Sequence, residues 1–262
     1  MDDLLALYDH DLRGRLFEPL PAGATSERDG PIVRTSGLEW GGFVGYRDLG
    51  GLGGAELDAL IARTVAHFAD RGEAFEWKAY AHDEPADLED RLRAAGLEPD
   101  DPETVVVARL ADIAGDATLP DGVAGREVTS RDDLDRIARF EERVWQDGHS
   151  RDWLAAALAD ELAADPSLLR VFVVEAGREI VSAAWVRFEA RTRWASLWGG
   201  ATHPDWRRRG IYRATVRHRA NLALAEGYEL VQVDASDDSR PILERLGFVA
   251  VTTTTPWQWK PA

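Results

Sequence analysis

The run Trp206-Arg207-Arg208-Arg209-Gly210-Ile211-Tyr212-Arg213 sets three consecutive arginines and a glycine where a turn gives way to a helical pattern. The first backbone N–H groups of a helix have no partners inside it and lie at the positive end of its dipole. Such a spot suits a phosphate or pyrophosphate. The charge placement agrees. No acid occurs between Ile211 and Ala225, while Arg213, Arg217 and Arg219 crowd the early turns, the reverse of what an isolated helix prefers. An anion at the helix start accounts for the reversal. The bland alternative is a solvated arginine loop. A nucleic acid is the polyanionic alternative, but a net charge of −16 repels one everywhere outside this patch, so no nucleic-acid partner is expected.

The elements that must position this loop are legible around it. A strand-like stretch, residues 194–202, leads through His203-Pro204-Asp205 into the loop. After the helix, Leu230-Val231-Gln232-Val233-Asp234 reads as a buried strand. Residues 239–246 then read as a short helix closed by Gly247-Phe248. Together these features resemble motif A of the GNAT superfamily of N-acetyltransferases, with its Gln/Arg-x-x-Gly-x-Gly/Ala consensus. Arg207-x-x-Gly210 fits that consensus, and Leu246-Gly247-Phe248 looks like the family's Leu-Gly-Phe ending. Tyr212 departs from it, since the family most often has a small residue there. The resemblance covers about residues 123–259.

The resemblance implies acetyl-CoA as co-substrate, its pyrophosphate held by Arg207, Arg208, Arg209, Gly210, Ile211 and Tyr212. It also implies a bulge at Gly200-Ala201-Thr202 whose backbone pairs with the pantetheine arm, and the glycine pair Gly199-Gly200 suits a bulge. The thioester would then lie between this strand and residues 230–234. Ser236 takes the place of a frequent family asparagine, as a contact to pantetheine or an active-site water. Leu243 stands where many members carry an acidic tyrosine, and Ser196 where many carry a glutamate. A thiol of pKa about 8.5, with cysteine as guide, leaves without full protonation, so these absences do not exclude transfer. The motif gives no base. Asp234, at the strand end, is the first candidate. Glu142, Asp147 and His149 follow, because the segment joining the family's first two helices usually faces the acceptor. Each of these also has an ordinary reading as a cap or solvated side chain.

Composition narrows the class further. The 262 residues are 45% hydrophobic and 30% charged, as in globular domains. There is no cysteine, and no two of the six histidines have the i, i+4 spacing of a helical metal pair, so no metal site is expected. The acidic N-terminus lacks signal-peptide order and no apolar run is long enough for a membrane span. A cytoplasmic protein without a membrane partner is expected. Its oligomeric state is not legible. Eight of the ten tryptophans lie after residue 122, most as core, with Trp145, Trp194 and Trp198 as candidate walls of an acceptor pocket.

Residues 111–122 read as a linker between a domain over 1–110 and another over 123–262. Leu38-Glu39-Trp40-Gly41-Gly42 matches Ser196-Leu197-Trp198-Gly199-Gly200, and each is followed by helix, strand, short helix, glycine and strand. The expected fold class is α/β, an α+β mixed sheet, in two GNAT-like halves with the N-terminal one truncated. The first half's loop keeps Arg47-x-x-Gly50, but Asp48, Glu56 and Asp58 repel a pyrophosphate, so it is expected to lack a cofactor site. The reading is an acyl-CoA-dependent N-acyltransferase acting on a small-molecule or peptide amine. A CoA-binding sensor or scaffold without transfer activity is the main rival, and a module binding a partner's acidic group the other.

Overall fold

The computed structural model describes residues 2–16, 19–146, 148 and 150–261. The first elements are α1 (Asp2–Asp11), β1 (Thr25–Asp29), β2 (Ile32–Ser36), β3 (Gly42–Tyr46), α2 (Gly54–Arg71), β4 (Phe75–Tyr80), α3 (Leu88–Ala94), β5 (Glu98–Pro99) and β6 (Glu103–Arg109). They are followed by α4 (Leu110–Ile113), β7 (Ala124–Val128), α5 (Arg131–Trp145), α6 (Asp152–Ala164), β8 (Leu169–Ala176), β9 (Glu179–Phe188) and β10 (Trp194–Thr202). A 3-10 turn, Pro204–Trp206, leads to α7 (Ile211–Ala225), β11 (Leu230–Ala235), α8 (Arg240–Leu246) and β12 (Val249–Trp259). These form two compact units. One gathers residues up to Val105 with Asp234–Asp238 and the residues from Ala250 onward; the other holds Val106–Val233 and Ser239–Val249.

In the first unit, β1, β2 and β3 pair antiparallel, β3 pairs parallel with β4, and β4 pairs antiparallel with β12. Along α2 the buried residues Leu57, Leu60, Ile61, Thr64 and Phe68 form one stripe at helical spacing. Gly72 closes the helix in the left-handed conformation. On β4, Phe75, Trp77 and Ala79 alternate into the same core while Glu76, Lys78 and Tyr80 face the other side. Trp257, directly opposite Trp77, completes that core from the last strand of the chain. The units are therefore not two successive segments cut at 110 and 123, because the C-terminal strand belongs with β4. The Trp-Gly-Gly match is also displaced. Gly41 donates to the Leu38 carbonyl in a turn, and β3 begins only at Gly42. Gly42 is required by packing, since a Cβ there would fall 2.1 Å from the Phe68 ring.

In the second unit β7, β8, β9 and β10 pair antiparallel, and β10 pairs parallel with β11. Side chains on the two faces enter different clusters. Val171 and Val173 pack with Leu134, Ile137, Phe140 and Leu158 of α5 and α6, whereas Val174 and Val181 pack with Ile211 of α7. The expected linker is part of this unit. Leu110 and Ile113 are buried, Gly115 and Asn221 exchange two hydrogen bonds, and Leu119 packs on the Ile211 cluster. Small residues there permit close approach to α7 rather than free movement. Among the described residues no helix is long and apolar enough to cross a membrane, and no His/Cys/Asp/Glu group is arranged to hold a metal.

Candidate functional site

Three local features meet at the C-terminal end of β10. First, its parallel pairing with β11 covers only Trp194↔Leu230 to Ser196↔Gln232, so no ladder bond joins the two strands beyond that point. Second, its register against β9 slips between Gly199 and Ala201, leaving Gly200 as the extra residue of a bulge. Gly199 and Gly200 have φ of 64° and 84°, and a Cβ on Gly199 would fall 2.4 Å from the Trp185 ring. Third, α7 begins directly after the arginine loop.

That loop is built to leave donors free. Gly210 is the N-cap at φ 89° with no side chain to cap the helix, and the first turn carries no acid. The Ala214 N–H makes the first helical bond to the Gly210 carbonyl at 3.0 Å. The N–H groups of Ile211, Tyr212 and Arg213 therefore have no partner within the helix. Arg207 Nε donates to the Thr202 carbonyl at 3.1 Å, tying the loop to the strand. Arg209 donates to the Asp205 carbonyl and lies over the Trp206 ring, 4.5 Å from its centroid. Arg208 takes a positive φ of 63°, which turns the chain into the helix. All three arginines are exposed.

Arg219 has a different role from the one its place on α7 suggested. It is 2% exposed and donates through Nη1 to the carbonyls of Trp185 and Trp198, both at 3.0 Å. These residues face each other just before the bulge. Burial pushes its pKa down to about 10, with Tyr212 opposing that shift. Arg219 thus braces the bulge from beneath. Arg217 also turns away from the helix start, to the Asp116 carbonyl.

The predicted site residues fall into two groups. Gly200, Ala201, Thr202, Arg207, Arg208, Arg209, Gly210, Ile211 and Tyr212 come together in the second unit. Asp234 and Ser236 belong to the first. There, Lys78 Nζ binds Asp234 Oδ2, and Oδ1 is buried without a partner. Burial works against the Lys78 charge, yet Asp234 and its other neighbours outweigh it and raise the pKa. Burial, with Asp234 adding to it, lifts Glu103 to about 7. Glu142 Oε1 accepts from the Arg151 N–H at 2.8 Å, holding the start of α6. Asp147 and His149 lie outside the described residues. Ser196 Oγ donates to Glu189 and accepts from Trp198 Nε1, and Leu243 is fully buried.

The carboxylate that sequence reasoning missed is Glu141. It is 5% exposed, Oε2 accepts from Trp145 Nε1 at 2.7 Å, and Oε1 has no partner. Burial lifts its pKa to about 7, against the lowering effects of Trp145 and Arg151. A signal for it exists in the sequence: the apolar stripe Leu134, Ile137, Ala138 continues at helical spacing to an acid. The stripe residues Leu134, Ile137 and Ala138 share a cluster with Ala183 and Trp185, and Ala201 of the bulge packs against it.

Residues 132–248 match the profile of the acetyltransferase (GNAT) family. Solved structures with the same fold include a GCN5-related N-acetyltransferase from Kribbella flavida, 16% identical, with TM-score 0.66 over 91% of this chain and 90% of that one. A tandem GNAT protein from the clavulanic acid biosynthesis pathway is 13% identical, with TM-score 0.64 over 99% and 95% of the two chains. A third, from Sphaerobacter thermophilus, is 15% identical with TM-score 0.57 over 99% and 85%. No curated protein gives a significant match. The fold is the mixed α/β architecture of GNAT proteins, tandem ones among them.

Proposed function

We propose that the second unit binds acyl-CoA at the start of α7 and transfers its acyl group, acetyl in the simplest case, to an amine. The observation that carries this reading is a capless, acid-free helix start next to a bulge at the point where two parallel strands stop pairing. The N–H groups of Ile211, Tyr212 and Arg213 would hold the pyrophosphate, with Arg207, Arg208 and Arg209 adding charge. The bulge at Gly200-Ala201-Thr202 would orient the arm. Bound acyl-CoA supplies an activated thioester carbonyl to a neutral amine. With Leu243 at the tyrosine position the thiolate departs without a phenol proton, in keeping with its low basicity.

For the base we favour Glu141 over Asp234. Asp234 is already ion-paired with the buried Lys78, whereas Glu141, lifted to about 7 by burial, suits general-base work. The first unit is proposed to be a shortened GNAT-like half without a cofactor site. Its loop already binds a carboxylate of its own, since the Gly50 N–H donates to Asp48 Oδ1 at 3.0 Å. Where acyl-CoA is available in the cytoplasm, the chain would act there. The rival reading, a CoA sensor without transfer, draws on Leu243 and on Ser196 being engaged by Glu189 and Trp198. Gly210→Glu places a carboxylate at the helix start and should abolish acetyl-CoA binding in calorimetry while circular dichroism stays unchanged. Unchanged affinity would remove the site assignment. Binding by the wild type without thiol release across an amine panel would favour the sensor.

A further inference from the structure

Tyr212 is the one position in the loop where this chain departs from the small residue of the GNAT consensus, and its ring is placed where that matters. It starts on the first turn of α7 and lies against the bulge: a Cβ on Gly200 would fall 2.8 Å from Tyr212 Cε2 and 3.6 Å from Arg219 Nη2. Its hydroxyl faces the side chain of Ser239, the residue that opens α8. The ring therefore spans from the start of α7 to the start of α8, across the backbone of the extra strand residue. Burial raises the phenol's pKa, with Arg219 and Ser239 opposing that rise, so the group is neutral at physiological pH and stays in place by contact rather than by charge.

We infer that Tyr212 is a latch over the arm of acyl-CoA: its ring occupies the space beside Gly200 and must leave Ser239 before the pantetheine chain can lie along the bulge. The inference rests on the reading of the α7 loop as an acyl-CoA site. The donors for a pyrophosphate are backbone N–H groups and do not depend on where the ring points. Only the arm competes with the ring. The latch therefore separates the two ends of one ligand. The nucleotide end sees an open site, and the thioester end sees a closed one. Opening it gives up the Ser239 contact and uncovers a packed aromatic ring, which together should lower the apparent affinity for the full ligand about tenfold.

The test is calorimetry with two probes. One is CoA; the other is 3′-phosphoadenosine 5′-diphosphate, which ends at the pyrophosphate and has no arm. Tyr212→Ala should tighten CoA about tenfold while leaving the armless nucleotide unchanged within about twofold. Ser239→Ala removes the hydroxyl that the phenol faces and leaves the ring, so it should tighten CoA by a smaller factor, again without moving the nucleotide. It also keeps the proposal testable should Tyr212→Ala fail to fold. CoA affinity that is unchanged or weakened in both variants overturns the latch. So does a gain shared equally by both probes, which would place the ring at the pyrophosphate instead. If neither probe binds the wild type or any variant, the acyl-CoA reading itself fails, and the latch falls with it.

Discussion

Replacing Glu141 by glutamine should make the protein more stable at alkaline pH and leave it almost unchanged near pH 5. The carboxyl is buried, bonded only to Trp145 Nε1, and lifted from 4.5 to about 7. Between those values the folded chain holds a proton that the unfolded chain has lost. Its contribution is thus fully present below about pH 4.5 and declines as pH rises towards 7. At 1.36 kcal/mol for each tenfold change, the span corresponds to about 3 kcal/mol. Glutamine does not titrate, and its amide oxygen can still accept from Trp145. The difference between variant and wild type should therefore grow by about 3 kcal/mol from pH 5 to pH 8. Urea unfolding at both pH values measures it, and taking the difference between the two proteins cancels every other carboxylate. A variant advantage that is equal at both pH values, or missing at pH 8, would refute the account of Glu141 as a group whose charge is strained by burial. Under the proposed function the same substitution should also remove the limb of the pH–rate profile near 7.

Asp234→Asn leaves the buried Lys78 ammonium without its counter-charge and should cost about 3–5 kcal/mol in denaturant unfolding. Stability matching the wild type would mean that Lys78 finds another partner. Saturating acetyl-CoA should titrate to one equivalent per chain, because Asp48 already occupies a donor of the first loop and Glu56 lies in the first turn of α2. Two equivalents would contradict that.

Local chemistry is the readable part of this chain. The turn at Pro204, the glycine N-cap and the absence of acids in the first turn of α7 are all decided within about ten residues of one another, so the loop is legible from its own neighbourhood. The glycine pair likewise signals the bulge, because only a residue without Cβ fits against Trp185. Long-range pairing is not readable. Nothing near Trp257 states that it will lie opposite Trp77, because strand alternation is the same whichever neighbour the strand chooses. For the same reason Leu38-Glu39-Trp40-Gly41-Gly42 passes for a strand although it forms a turn. Arginines read by charge can mislead when burial decides their role. Arg219 is spent on two carbonyls under the sheet, and only depth distinguishes it from Arg213 on the same helix.

The place of β12 bears on how the chain is made. The core around Trp77 is closed by Trp257, so the first unit lacks one of its strands until residues 250–259 have been synthesised. At about 5–20 residues per second, the interval between emergence of residue 105 and residue 250 is roughly 7–30 s. Throughout that time β4 would offer an unpaired edge and an open apolar face to anything nearby. Termination just before Trp257 would therefore damage the first unit, far from the lesion in sequence, while leaving the start of α7 already encoded and complete.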